Sequence, residues 1–214
     1  MKHIVFHLDF LSPYAMLAFE RLPHVLQGVS HSVEYRPVLL GALLAAGQVP
    51  GPAETAHKRD WTYRHVQWLA HTHGIALDLP AAHPFNPLPL LRLAIACGQD
   101  GAANRHVCET IFRHVWNGGG DAVDPARLAV LAGRLAPARD VGSAEVKDQL
   151  RANTDAALAQ GIFGVPMLVA DGRHFWGLDA LPMLRAALTG DAWFESGAWA
   201  RAAALPSGLP HRPT

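Results

Sequence analysis

The first 37 residues constrain the fold more than any other stretch of the chain. Ile4 to Asp9 is short, apolar and rich in strand formers, so it reads as a buried strand. Ser12-Pro13-Tyr14-Ala15 follows directly. Serine is a favoured N-cap, and proline fits the first helical position. A helix then runs to about Gln27, with Leu17, Arg21 and Leu22 at helical spacing and Gly28 as the stop. Ser32 to Arg36 alternates, with Val33 and Tyr35 on one face, and reads as a second strand. Strand, helix and strand in so short a span make a βαβ unit with parallel strands and a right-handed crossover.

The middle of the chain is helical. Residues 41–56 form a Gly/Pro/Ala-rich loop or broken helix. Helices follow at about 57–73, 87–99, 102–116 and 125–135, separated by Gly74, the Pro84–Pro89 cluster, Gly118-Gly119-Gly120 and Pro137. Ser143 to Gln160 is another helix, with Val146, Leu150 and Ala157 on one face. The end returns to strands: Met167–Ala170 and Arg173–Trp176 flank Asp171-Gly172, a strong hairpin signal. Asp179 then caps a helix carrying Leu181, Leu184 and Leu188. The tail from Gly190 holds Trp193 and Trp199, and is expected to pack loosely or against a partner subunit. The order βαβ, helical block, helix, ββα gives an α/β class: a thioredoxin-like fold with a large α-helical insertion. The expected divisions are a thioredoxin-like domain at 1–40 and 140–190, a helical insertion at 41–139 and an irregular tail at 191–214.

Charge and apolar runs exclude some partners. The formal net charge of the 214 residues is zero, and opposite charges interleave, so nothing points to nucleic acid. No apolar run reaches the ~18 residues of a membrane span. Asp9 interrupts the N-terminal apolar run too early for a signal peptide, which suggests a cytoplasmic protein. The two cysteines, Cys97 and Cys108, are not in C-x-x-C spacing and read as small buried hydrophobes. His71-Thr72-His73 and the His57/His65 pair lack the flanking ligands of a zinc site, so no metal is expected.

Chemistry concentrates where the first strand gives way to the first helix. Backbone N–H groups point outward there and the helix dipole is positive, which favours an anion such as a thiolate. Ser12-Pro13-Tyr14-Ala15 contains no sulfur, so disulfide exchange is impossible at this place. The Ser12 hydroxyl can instead donate to the thiolate of a bound molecule. A charge-assisted bond of that kind contributes roughly 1.5–3 kcal/mol. It would lower the thiol pKa by about one to two units. The plain alternative is an ordinary Ser-Pro helix start. Val165-Pro166 is the second feature, because a proline opening a sheet strand cannot donate to the ladder. A cis bond would leave the Val165 backbone free to pair with a peptide-like ligand; the plain alternative is a trans proline at a strand edge.

Asp9-Phe10-Leu11-Ser12-Pro13-Tyr14, Gly161-Ile162-Phe163-Gly164-Val165-Pro166 and Phe175-Trp176-Gly177-Leu178-Asp179 together resemble the 2-hydroxychromene-2-carboxylate isomerases. These are relatives of kappa-class glutathione transferases and of the DsbA family, and the resemblance covers about residues 3–190. It implies glutathione as cofactor, with its sulfur on Ser12, its cysteinyl backbone on Val165 and its γ-glutamyl end on Asp179. Pro13, Tyr14, Pro166 and Leu178 would complete that grip. His57-Lys58-Arg59-Asp60-Trp61 is similar to the family's lysine segment, in which Lys58 would meet a carboxylate of glutathione or substrate. Asn86-Pro87 is similar to the family's Asn-Ser or Asn-Thr beside the substrate. Trp61 and Phe85 would line the substrate pocket with Tyr14. The chain departs from the family at Gln48, often Asn, and at Ala180, usually Arg; Gln48 is kept as a glutathione contact. The resemblance also implies a homodimer. The implied reaction is isomerisation of a small aromatic substrate through reversible addition of the thiolate. A kappa-like transferase that releases the adduct, and a non-catalytic glutathione- or peptide-binding protein, are the alternatives.

Overall fold

The computed structural model describes residues 1–206 and Gly208. The chain forms a mixed sheet of four strands, in the order β2-β1-β3-β4. These are β1 (Lys2–Leu8), β2 (His31–Pro37), β3 (Met167–Ala170) and β4 (Arg173–Trp176). β1 pairs parallel with β2 and antiparallel with β3, and β3 pairs antiparallel with β4. Helix α1 (Pro13–Val25) makes the crossover between β1 and β2. The β3–β4 turn puts both Asp171 and Gly172 at positive φ, 48° and 73°. That is the backbone a two-residue hairpin needs to match strand twist.

The two faces of the sheet are chemically different, as strand alternation requires. Phe6, Leu168 and Phe175 stand side by side across β1, β3 and β4 and are fully buried. Each buried side chain of this size contributes about 1.5–3 kcal/mol. This stripe belongs to the same core as α1 and α8 (Leu181–Leu188). The opposite face carries His7, with Met167 and Val165 in a smaller cluster with α2 (Leu40–Ala46) and α7 (Ala144–Ala159).

Between β2 and α7 run α3 (Ala56–His73), α4 (Leu88–Cys97), α5 (Arg105–Trp116) and α6 (Pro125–Leu135). They do not form a separate core. Phe112 of α5 packs against Phe10 and Phe19, with ring centroids 4.9 and 5.2 Å apart. The Trp116 indole donates to the Phe10 carbonyl at 3.0 Å. The insertion is therefore bonded to the loop that presents Ser12. α5 begins at Arg105 instead of 102 because the Asn104 side chain caps it, accepting from Val107 N at 2.9 Å.

Two expectations are corrected. The described part of the tail, to residue 206, does not pack loosely: it forms a 3-10 turn at Ala192–Glu195 and helix α9 at Ala198–Ala203. Phe194 is buried, and Trp199 packs on Phe175 and Phe194, with centroids 6.0 and 5.6 Å away. Arg173 of β4 adds an ion pair with Glu195 at 2.8 Å. The reason is that Phe175 of edge strand β4 offers an aromatic surface that Phe194 and Trp199 extend. The second correction is that Asp179 does not cap α8. The N-cap is Ala180, which makes no side-chain cap bond. The Asp179 side chain accepts no hydrogen bond from the first turn of α8 among the described residues; Leu181 N reaches the Leu178 carbonyl at 3.3 Å instead. Its carboxylate is free for other use.

Candidate functional site

Ser12 caps α1 as its neighbours require. It has extended φ and ψ of −87° and 115°, and its Oγ accepts from Ala15 N at 3.2 Å. Its side chain is buried, and the hydroxyl approaches the Val165 carbonyl only at 3.5 Å. That long approach leaves the hydroxyl proton available to a better acceptor. The loop holding Ser12 is fixed from behind. Ser12 N donates to Asp9 O at 3.0 Å. The Asp9 carboxylate accepts from Leu11 N at 3.0 Å and Leu40 N at 2.9 Å. Full burial pushes the Asp9 pKa up to about 6, and the two backbone donors resist that rise.

Val165-Pro166 faces Ser12 and is a cis peptide. Pro166 O accepts from Gly177 N at 3.0 Å, tying this loop to the end of β4. The Val165 N–H meets no acceptor among the described residues, so its backbone presents a donor and a carbonyl to whatever sits against Ser12. Gly177 has φ +93°, and a Cβ there would stand 2.4 Å from Asp179 Oδ1. Glycine is thus what lets the Asp179 carboxylate fold back beside Leu178.

A cleft of about 640 Å³ opens from this corner. Tyr14, Val165, Pro166, Leu178 and Asp179, all read from the sequence as contacts of a bound peptide, line it. Arg21, His65, Leu69, His73 and Trp176 line it too, and the sequence did not single them out as site residues. Tyr14 Oη and His65 Nδ1 lie 2.9 Å apart. Burial, with the Asp179 charge nearby, pushes the Tyr14 pKa up, so the phenol stays protonated and can donate. α1 and α3 run side by side in the same sense, with Tyr14 opposite His65 and Arg21 opposite His73. Helical periodicity could have shown that Tyr14, Arg21 and Val25 share one face, but not which helix lies against it.

Ser12 and Pro13 are buried just behind Tyr14 and Val165 and are not among the residues lining the cleft, and the remaining sequence candidates do not line it either. Gln48 is exposed after α2 with φ +52°. Lys58 is exposed on the first turn of α3. Trp61 is 65% exposed and stacks on His65, with ring centroids 5.8 Å apart, at the rim. The Asn86 side chain accepts from Leu88 N at 3.1 Å, a local turn at the start of α4. Phe85 packs edge-on to His83. His83 itself is a site neighbour the sequence did not reveal. Its Nε2 meets Leu11 O at 2.8 Å and its Nδ1 meets the Tyr63 hydroxyl at 2.8 Å. Burial holds its pKa down, so the neutral ring donates through Nε2 to the carbonyl beside Ser12.

Comparison with known proteins places the chain by family and fold. Residues 3–189 match the DsbA-like thioredoxin domain family. A 2-hydroxychromene-2-carboxylate isomerase of Sphingobium xenophagum is 29% identical over 194 residues, covering 87% of this chain and 98% of that protein. A glutathione S-transferase kappa 2 of Caenorhabditis elegans is 25% identical over 203 residues, covering 86% of this chain and 90% of that protein. Among solved structures, a 2-hydroxychromene-2-carboxylate isomerase superimposes with a TM-score of 0.76 at 24% identity. It covers 92% of this chain and 98% of its own.

Proposed function

The chain belongs to the DsbA-like thioredoxin family, among the relatives of 2-hydroxychromene-2-carboxylate isomerase, and from that premise we propose that it is a glutathione-dependent isomerase. The substrate is 2-hydroxychromene-2-carboxylate or a similar aromatic-pathway intermediate. One observation carries the reading: a buried N-cap serine, in a Ser-Pro-Tyr-Ala segment without cysteine, faces Val165, whose N–H is unpaired among the described residues, beside the cis Pro166. A redox relative would need sulfur there, whereas a serine serves a borrowed thiol.

Glutathione lies with its cysteinyl backbone against Val165 and its ammonium toward Asp179. The Ser12 hydroxyl donates to the thiolate, which the α1 N-terminus also favours. The thiolate adds to the conjugated double bond of the ring-opened substrate, and the π electrons move to the carbonyl oxygen as an enolate. The former double bond, now single, rotates. The enolate then collapses and expels the thiolate, leaving the trans alkene and intact glutathione. The protonated Tyr14 phenol, held by His65, is placed to donate within the same cleft.

Glutathione at about 100 times its Kd stabilises by ~2.7 kcal/mol. At ~2–4 °C per kcal/mol that raises Tm by about 5–10 °C. No shift at millimolar glutathione refutes the reading. Product analysis separates the isomerase, which returns glutathione, from a kappa-like transferase, which consumes it. Ser12→Ala is expected to lose at least tenfold in turnover, while losing about 1 kcal/mol of stability with its cap. Unchanged turnover removes Ser12 from the reaction.

A further inference from the structure

The cleft is charged oppositely at its two ends. Asp179 stands beside Gly177 and Leu178 at the Ser12 end. Arg21 stands two helical turns along α1 from Tyr14, roughly 10 Å further in at about 1.5 Å per residue. The wall between them is apolar, with Leu69, Leu181 and Pro182. Arg21 is the one lysine or arginine lining the cleft, and among the described residues it joins no ion pair. Its neighbour in the same region, Arg113, is already paired with Glu109.

A half-buried guanidinium against apolar walls has lost water without gaining an anion. Its planar fork matches a carboxylate with two parallel hydrogen bonds. His73, across from it, supplies no negative charge and is held toward its neutral form by burial and by Arg21 itself. Lys58, which the sequence suggested for the carboxylate, stands outside the cleft.

We propose that Arg21 is the carboxylate-binding residue of the cleft, so that a ligand spans from the Ser12 corner to an anionic end against α1 and α3. This rests on the reading that the cleft is where glutathione and an aromatic acid meet. The carboxylate has two possible sources: the glycine end of glutathione, which lies at the far end of the tripeptide from the ammonium at Asp179, or the aromatic acid.

The test is isothermal titration of the full chain with three probes: glutathione, trans-cinnamate and uncharged cinnamamide. The wild type is expected to bind a carboxylate at least tenfold more tightly than Arg21→Gln, with Arg21→Lys recovering part of the loss. Cinnamamide binds both proteins alike. Loss confined to cinnamate assigns the aromatic acid to Arg21; loss confined to glutathione assigns the tripeptide. If Arg21→Gln binds both carboxylates as the wild type does, or the wild type binds neither, the proposal is overturned. A wild type that binds cinnamate but no glutathione sinks the isomerase reading alone and leaves Arg21 decided by the cinnamate arm. Circular dichroism of both variants verifies folding, and Arg21→Lys carries the test if Arg21→Gln does not fold.

Discussion

Two buried groups near the sheet titrate in opposite directions, and removing one should unmask the other. His7 is 2% exposed, and neither ring nitrogen has a partner among the described residues. Burial first, then the Arg36 charge and more weakly His174, lower its pKa from 6.5 to about 4, with Glu34 opposing. The unfolded chain therefore takes up this proton before the folded one. Stability is fully present above pH 6.5 and is lost as pH falls toward 4. At about 1.4 kcal/mol per pKa unit the loss reaches about 3 kcal/mol. Asp9 runs the other way. Its pKa is raised from 3.8 to about 6 by burial. Its contribution is fully present below 3.8 and is lost as pH rises through 6, again by about 3 kcal/mol. Between pH 6.5 and 4 the two nearly cancel. His7→Leu leaves the Asp9 effect alone, so the variant should gain about 3 kcal/mol relative to wild type between pH 7 and 4. At ~2–4 °C per kcal/mol that is about 6–12 °C in Tm. Asp9→Asn should lose about as much relative to wild type over the same range, on top of a constant penalty for its weakened backbone bonds. Urea unfolding at half-unit pH steps measures both, and taking differences from wild type removes the background of other groups. A His7→Leu difference that stays within about 0.5 kcal/mol across the range refutes the argument.

Other outcomes follow from single contacts. Gly177→Ala places a Cβ 2.4 Å from Asp179 Oδ1 at φ +93°. It should cost about 1–2 kcal/mol through backbone strain, measured by urea unfolding, and titration should show glutathione affinity falling at least tenfold as the carboxylate is pushed away. Trp116→Phe leaves the Phe10 carbonyl without its 3.0 Å indole donor. It should lose about 1–3 kcal/mol in urea unfolding; a loss below 0.5 kcal/mol would mean that water replaces the indole.

Much of the fold was readable from local rules. The hairpin at Asp171-Gly172 and the helix at Pro125–Leu135 lie where turn chemistry and proline placement put them. The Ser12 cap is equally local: the oxygen that accepts from Ala15 is three residues away. Boundaries moved where a cap outranked periodicity, as at Asn104. These features depend on φ, ψ and neighbours within a few residues, which the residue types themselves restrict.

The cleft is a different matter. Val165 and Pro166 reach Ser12 only because β3 pairs with β1. In the sequence His65 and His73 are only histidines without the spacing of a metal site, until α3 lies along α1 and sets them opposite Tyr14 and Arg21. Asp179 reads as a helix cap until α8 starts at Leu181 and frees the carboxylate. Gln48, Lys58 and Asn86 carry suitable chemistry yet end outside the wall. The sequence by itself determined the strand–serine–helix corner, because caps and turns are local. Only tertiary packing decided which distant side chains share its cleft, because long-range neighbours are selected by how whole faces bury one another.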